Sequence, residues 1–295
     1  MILVIGDIML DKYTFGKIDR INPEAPVPIL HITKEEYRLG GAANVANNLA
    51  SLNADVILLG IANNDFAGNA LKNMCDSSNI PHFLFSDGRP TIVKQRFIAD
   101  MYSQQVLRVD HEEKHNVGDD IADKIVSKVI ELNPNIVIIS DYAKGIVTEY
   151  FMNELKQKYN GKILVDPKPK NINLYKDVFL IKPNQSEAKK YLDCDDVVSN
   201  VSKMSDDLNS NILVTLGKNG SILFDRSKNE HFSVESLAKD VYDVSGAGDT
   251  YLATLAYALD NNFELKNAMQ LANKAASIVV GKVGTAIVTC DELFS

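Results

Sequence analysis

Ile2-Leu3-Val4-Ile5, closed by Gly6-Asp7, and Ile136-Val137-Ile138-Ile139, closed by Ser140-Asp141, are unbroken apolar runs that each end in a small residue and an acid. Val56-Ile57-Leu58-Leu59, Ile163-Leu164-Val165, Val178-Phe179-Leu180-Ile181 and Ile212-Leu213-Val214 are runs of the same kind. Continuous, β-branched runs of this length predict strands covered on both faces. Between them, apolar spacing predicts helices over 42–51, 67–77, 119–132, 149–159, 186–191 and 198–208. Two more, over 248–259 and 265–281, end the chain. Strand–helix–strand alternation predicts an α/β fold with a mostly parallel sheet and helices on both faces.

Two stretches break the rhythm. Leu10 to Thr33 carries Pro23, Pro26 and Pro28 among extended residues, and Thr91 to Val109 alternates polar and apolar, as in Thr91-Ile92-Val93-Lys94-Gln95-Arg96-Phe97-Ile98. Alternation predicts strands with one solvated face. We place them, over about 10–33 and 91–110, in a small β-lid above one end of the sheet; ordinary edge strands fit the same pattern. No linker, repeat or composition shift divides the chain, so one domain over 1–295 is expected.

The 295 residues are 45% hydrophobic, enough for a large core. The net charge is -8 without a Lys/Arg block, which argues against nucleic acid as a partner. An anionic substrate would need a local cluster of cations and amides. Cys75, Cys194 and Cys290 form no CxxC unit, as expected of reduced thiols in a cytoplasmic protein. The apolar opening stops at Asp7, too short for a signal or membrane segment, and no later run would span a bilayer, so no membrane partner is expected.

The chemistry concentrates in Asp243-Val244-Ser245-Gly246-Ala247-Gly248-Asp249-Thr250, which leads into the apolar run Tyr251 to Leu259. A helix start has backbone N–H groups without partners and partial positive charge. The glycines let those amides approach phosphate or the charge that builds during phosphoryl transfer. Asp249 would accept a proton beside that hole, and the pair is the minimal apparatus of a small-molecule kinase. A tight turn with an Asp at the helix start accounts for the same eight residues, so other segments have to decide.

Lys182-Pro183-Asn184-Gln185-Ser186-Glu187 follows a strand and opens a helix; Asn184 and Glu187 suit either Mg²⁺ held through water or a capping box. Val214-Thr215-Leu216-Gly217-Lys218-Asn219-Gly220 fits a nucleotide-binding strand end or a hairpin turn into Ser221-Ile222-Leu223-Phe224. Gly40-Gly41-Ala42-Ala43-Asn44 opens another helix, with Asn44 able to meet sugar hydroxyls. Lys144 and Lys168 each follow a buried strand, where α/β sheets bind ligands. His111-Glu112-Glu113-Lys114-His115 spells a zinc-protease motif, but a strand-like run precedes it and a loop follows, whereas that chemistry needs a helix.

In order and spacing, across nearly the whole chain, these segments resemble the ribokinase/phosphofructokinase-B sugar kinases. Asp243-x-x-Gly246-Ala247-Gly248-Asp249 is similar to their second signature, Gly40 to Asn44 to their first, and Asn184 to Glu187 to their metal and nucleotide motif. Within the family, Val4 to Tyr13, Arg20 to Pro28, Ser140 to Gly145, Val241 to Thr250 and Val279 to Thr285 look like the heptose 7-phosphate kinases of ADP-heptose synthesis. The resemblance implies a ribokinase-like three-layer sandwich with a β-lid. It implies ATP-dependent phosphorylation, with Mg²⁺, of the anomeric hydroxyl of D-glycero-β-D-manno-heptose 7-phosphate, for the lipopolysaccharide core. On this reading Asp249 is the base, and the amides of Gly246, Ala247 and Gly248 hold the transferring phosphoryl. Asn184 and Glu187 place Mg²⁺ and the ATP phosphates, Thr215, Gly217 and Gly220 line the nucleotide channel, and Asn273 lies near the adenine. Asp7, Gly40, Gly41, Asn44, Lys144 and Lys168 belong to the substrate side, with Lys94 and Arg108 reaching the distal phosphate from the lid. K⁺ beside the 279–285 loop and a homodimer through the lid are also implied. In many relatives a cytidylyltransferase-like domain follows on the same chain; none is expected within these 295 residues. A ribose, adenosine or fructose-phosphate kinase is the nearest rival. A dinucleotide-dependent oxidoreductase needs GxGxxG after the first strand, where Gly6 stands alone. A non-catalytic sugar-nucleotide sensor would be separated by an activity assay.

Overall fold

Strand β1 (Ile2–Gly6) is buried on both faces: Ile2 and Val4 pack into one hydrophobic core, Leu3 and Ile5 into another. That period of two explains why its sequence is apolar throughout. In the computed structural model, which describes residues 1–100, 104–238, 243–282 and 286–295, β1 pairs in parallel with β4 (Val56–Ile61) and β8 (Ile136–Ser140). The parallel sheet continues through β5 (His82–Phe85) beyond β4, and through β9 (Lys162–Asp166), β10 (Leu180–Ile181) and β11 (Asn211–Thr215) beyond β8. The antiparallel strands β12 (Ser221–Asp225) and β13 (Glu230–Val234) complete nine strands. Strand order reverses direction at β1, so a crevice opens at the carboxyl ends of β1 and β8.

One face is covered by α1 (Ala42–Ser51), α2 (Phe66–Ser77), α7 (Ala247–Asp260) and α8 (Leu265–Val279). The other is covered by α3 (Asp119–Leu132), α4 (Glu149–Lys158), α5 (Gln185–Leu192) and α6 (Val197–Leu208). The short helix α9 (Cys290–Phe294) packs with α8 in a smaller cluster. The expected three-layer α/β architecture is therefore present. Three strands fall outside the predicted set: β5, whose four residues are too few to show a period, and the β12–β13 pair, foreshadowed only by the hairpin reading. The run at 178–181 is shorter than expected, pairing only at Leu180 and Ile181.

A second sheet, ordered β3-β2-β6-β7, forms the lid from β2 (Ile8–Ile21), β3 (Pro28–Gly41), β6 (Ile92–Ala99) and β7 (Gln104–His111). It reaches further than the expected 10–33 segment, because β3 runs on to Gly41 and delivers the chain straight into α1. The three prolines did not limit it: Pro23 and Pro26 lie in the turn, and Pro28 begins an edge strand, where a missing N–H costs little. Register places Asp11 and Tyr13 of β2 on one lid face with Arg38 and Glu36 of β3 and Lys94 and Arg96 of β6. Arg108 and Asp110 of β7 pair with Arg96 and Lys94. Among the described residues no helix is long and apolar enough to cross a membrane.

Candidate active site

Gly246 caps α7 in the left-handed conformation, φ 80°, which a glycine adopts without Cβ strain. The turn brings Ala247, Gly248 and Asp249 to the helix start, where the amides lack intrahelical acceptors. Asp249 is 7% exposed, and both of its oxygens are held. Asn44 of α1 donates from Nδ2 to one oxygen at 2.7 Å, and the Tyr142 hydroxyl donates to the other at 3.0 Å. Behind them Thr250 Oγ1 donates to Asn48 Oδ1 at 2.8 Å, and Asn48 Nδ2 donates to the Asn44 carbonyl at 2.9 Å. These bonds lock α1 to α7. Burial pushes the Asp249 carboxyl up to about 6; Asn44 and Tyr142 work against that rise, while Asp166 adds to it. The group is thus ionised at neutral pH yet more basic than a solvated aspartate, as proton abstraction requires.

A cavity of about 870 Å³ opens beside Asp249 and runs past the ends of β9, β10 and β11. Thr215, Gly217, Gly220 and Asn273 line it, as do Gly246, Ala247 and Gly248. The Thr215–Gly220 segment is the turn of the β11–β12 hairpin, as the second reading of it expected, and it also lines the cavity. Lys182, which sequence reasoning passed over in favour of its neighbours, is 3% exposed at its side chain and lies 3.2 Å from Asp166. Its ammonium stands 3.6 Å from where a Cβ on Gly248 would be, placing it at the anion hole. Burial raises the Asp166 carboxyl, and Lys182 opposes that rise.

Asn184 and Glu187 form the full capping box of α5. Glu187 Oε2 accepts the Asn184 N–H at 2.9 Å, Asn184 Oδ1 accepts the Glu187 N–H at 2.9 Å, and Glu187 Oε1 meets Lys168 Nζ at 2.8 Å. Both side chains line the cavity. Their lone pairs are largely committed, so this donor set fits Mg²⁺ through its water shell, the usual mode beside phosphates. Among the described residues no group of three or more His, Cys, Asp or Glu could hold a metal by itself. His111 ends β7 and no helix follows before Asp119, so the HExxH letters have no helical face. Of the loop expected beside K⁺, residues 283–285 lie outside the described residues, as do Val241 and Tyr242.

The other substrate-side residues divide. Gly40 lies against Asp11, where a Cβ would stand 2.6 Å from Oδ2, and Gly41 leads into α1. Asp11, another residue not anticipated, is buried and paired with Arg96 at 2.6 Å. Lys94 is half-buried, with its ammonium 5.6 Å from the Tyr142 ring centre. Burial and the neighbouring Lys144 lower its proton affinity. Lys168 stands 5.2 Å from the same ring, is held by Glu187 and lines the cavity. Lys144 is buried against Glu112, and Arg108 is half-exposed and paired with Asp110 at 2.9 Å; neither lines the cavity. Asp7 Oδ2 accepts the N–H groups of Tyr142 and Lys144 at 2.8 and 3.0 Å, so this oxygen fixes the backbone of the turn after β8. Tyr142 and Lys182 had one available signal: each directly follows a buried strand, the same cue that singled out Lys144 and Lys168.

Comparison with known proteins gives the family and the fold. The pfkB family carbohydrate kinase description matches residues 1–291. A bifunctional protein HldE from Nitratiruptor sp. is 39% identical over 301 residues, covering 99% of this chain and 64% of that protein. The chain therefore spans under two thirds of such bifunctional relatives. A D-beta-D-heptose 7-phosphate kinase from Bordetella bronchiseptica is 38% identical over 301 residues, covering 99% of this chain and 94% of that one. In fold, the chain superposes on phosphofructokinase-2 from Escherichia coli in complex with potassium at TM-score 0.85, with 18% identity, covering 100% and 96% of the two chains. Ribokinase from Thermotoga maritima gives TM-score 0.80 at 19% identity, covering 99% and 97%. With the family description matched over residues 1–291 and relatives near 40% identical along almost all of the sequence, this chain belongs to the pfkB family of carbohydrate kinases.

Proposed function

We propose that this chain transfers the γ-phosphoryl group of ATP to O1 of D-glycero-β-D-manno-heptose 7-phosphate, giving the 1,7-bisphosphate for ADP-heptose synthesis in the cytoplasm. The observation that carries the reading is Asp249: a buried carboxylate, held at both oxygens, at the mouth of a helix start and beside a cavity of nucleotide size. Asp249 takes the O1 proton as O1 bonds to the γ-phosphorus and the bond to the β–γ bridging oxygen breaks, releasing ADP. The amides of Gly246, Ala247 and Gly248, with Lys182, stabilise the charge on the transferring group. Glu187 and Asn184 would hold Mg²⁺ through water, where it would neutralise phosphate charge.

The relatives named for heptose 7-phosphate support the acceptor. So does Lys94, a half-buried ammonium on the lid with no carboxylate within 4.0 Å among the described residues, a natural partner for a distal phosphate. Arg108 and Lys144 add positive charge nearby without lining the cavity. A homodimer through the lid fits its exposed apolar residues Ile21, Ile32, Val106 and Leu107 and its unpaired outer strands; light scattering on the eluting protein would give the mass. The decisive experiment couples ADP release to a panel of heptose 7-phosphate, ribose, adenosine and fructose 6-phosphate. Heptose 7-phosphate is expected to give the highest kcat/KM, and a higher value for any other member would reassign the acceptor.

A further inference from the structure

Two buried carboxylates take no part in the chemistry above. Asp7 and Asp141 are 4% and 2% exposed; Asp7 holds the turn that follows β8, and Asp141 ties that turn to the segment after β9, where its Oδ2 also accepts the Lys168 N–H. Asp7 accepts the N–H groups of Tyr142 and Lys144. Asp141 Oδ1 accepts the Ala143 N–H at 2.7 Å, and its Oδ2 is held by the Tyr175 hydroxyl at 2.7 Å and Asn171 Nδ2 at 3.0 Å. Ala143 completes the turn at φ 55°, a left-handed conformation that disfavours a residue with a Cβ. Burying two acids and straining one residue is costly. The side chain that this turn presents to the cavity is Tyr142.

We propose that Tyr142 is a positioning residue for phosphoryl transfer: its hydroxyl fixes the Asp249 carboxylate toward the acceptor oxygen, and its ring seats the lid's Lys94. The inference rests on the kinase reading of Asp249. Three observations carry it. The hydroxyl donates to Asp249 at 3.0 Å, opposite the Asn44 amide at 2.7 Å, so the carboxylate is gripped from both oxygens while each retains a lone pair. The ring has Lys94 5.6 Å and Lys168 5.2 Å from its centre, within cation–π range of lid and sheet together. The turn itself is clamped by Asp7 and Asp141, so the tyrosine is not free to follow a mobile ligand. Burial, with Asp249 next to it, keeps the phenol proton on far above the working range, so the group stays a donor. The other groups that set the charge of Asp249 are Asp166 on β9 and Lys182 after β10.

Tyr142→Phe separates the hydroxyl from the ring, and Tyr142→Leu removes both. With heptose 7-phosphate and ATP, Tyr142→Phe is expected to lower kcat at pH 7 about 10-fold, the scale of one hydrogen bond to a charged group. Both KM values should change by less than about 3-fold, since the ring contacts remain. The acid limb of kcat should move to higher pH by roughly half a unit or more, because Asp249 loses a donor that favours its charged form. Tyr142→Leu should add a rise in KM for the sugar phosphate but not for ATP. Melting temperatures of both variants identify any general loss of folding. Wild-type kcat with an unmoved acid limb in Tyr142→Phe would overturn the inference, as would a loss carried equally by kcat and both KM values at every pH. Wild-type protein inactive on heptose 7-phosphate would instead strike the acceptor assignment alone. The two variants would then be compared on whichever acceptor is turned over or, failing any, on ADP release to water.

Discussion

The two ends of the cleft balance their charges differently. Under β9 and β10 two buried or half-buried ammoniums have carboxylates of their own, Lys182 with Asp166 at 3.2 Å and Lys168 with Glu187 at 2.8 Å, while the exposed Lys218 after β11 lines the cavity with no carboxylate within 4.0 Å among the described residues. On the lid, Arg96 is paired with Asp11 and Arg108 with Asp110, whereas Lys94 has no carboxylate within 4.0 Å among the described residues and stands 5.6 Å from the Tyr142 ring centre, with Asp110 and Asp11 acting on it from further off. On the proposed reading a nucleotide brings part of its neutralisation along with Mg²⁺, whereas a sugar phosphate arrives bare and Lys94 on the lid is the cation assigned to it. Asp249 lies where the two regimes meet.

That contrast is broken most severely at the meeting point. Asp249→Asn removes the base while leaving both ends intact, and turnover should fall by about 10²–10⁴, the usual contribution of a general base. ATP binding, followed by calorimetry or nucleotide fluorescence, should survive. Near-full turnover would mean that the acid only caps α7. Wild-type kcat should also fall as pH drops through about 6, where Asp249 gains its proton. A smaller pair of effects tests whether the ends are independent. Lys94→Met should raise KM for the sugar phosphate roughly 10-fold or more and leave KM for ATP nearly unchanged, the loss of a charge-assisted contact at one end. Lys168→Met should do the reverse, also stranding Glu187. If Lys94→Met moved KM for ATP instead, the lid would not be the sugar-phosphate end.

The sheet was legible because burial on both faces writes itself into consecutive residues: Leu3 and Ile5 serve one core, Ile2 and Val4 the other, and all four must be apolar. The lid was legible in kind, since one solvated face produces alternation, but not in extent, since prolines at a turn and an edge look like interruptions. Within the site, the eight residues from Asp243 to Thr250 raised a base with its amides but fit a plain helix-start turn equally well, and Asn44, read as a sugar contact, bonds Asp249, 205 positions away. Tyr142, Lys182 and Asp11 were missed because their roles come from pairings across the fold, which no local spacing encodes. Asp7 shows the same limit: an acid at a strand end reads as ligand-facing, and only the fold shows the Tyr142 and Lys144 amides bonded to its Oδ2.

The smallest expected effect concerns stability and sharpens the account of Asp249. Its carboxyl titrates at about 6 in the folded chain against 3.8 for the ordinary side chain. A raised value means that the folded state prefers the protonated acid, so this stabilisation is complete below 3.8 and is lost as pH rises through about 6. Above that range the charged form is carried at a cost of about 3 kcal/mol at most, from roughly two pKa units at 1.36 kcal/mol each. Asparagine keeps the shape, accepts from Asn44 and donates to the Tyr142 oxygen without the charge. Asp249→Asn should therefore melt higher than wild type at pH 8, by a few degrees for about 1–3 kcal/mol in a chain of this size. The gap should narrow as pH falls from 6 and be nearly closed by pH 4. Asp7 titrates in both proteins and cancels from the difference. Melting curves of the two proteins at pH 8, 5 and 4 decide it: a gap that stays constant with pH would show that burial does not hold this carboxyl up, and the base would then be no stronger than a solvated aspartate.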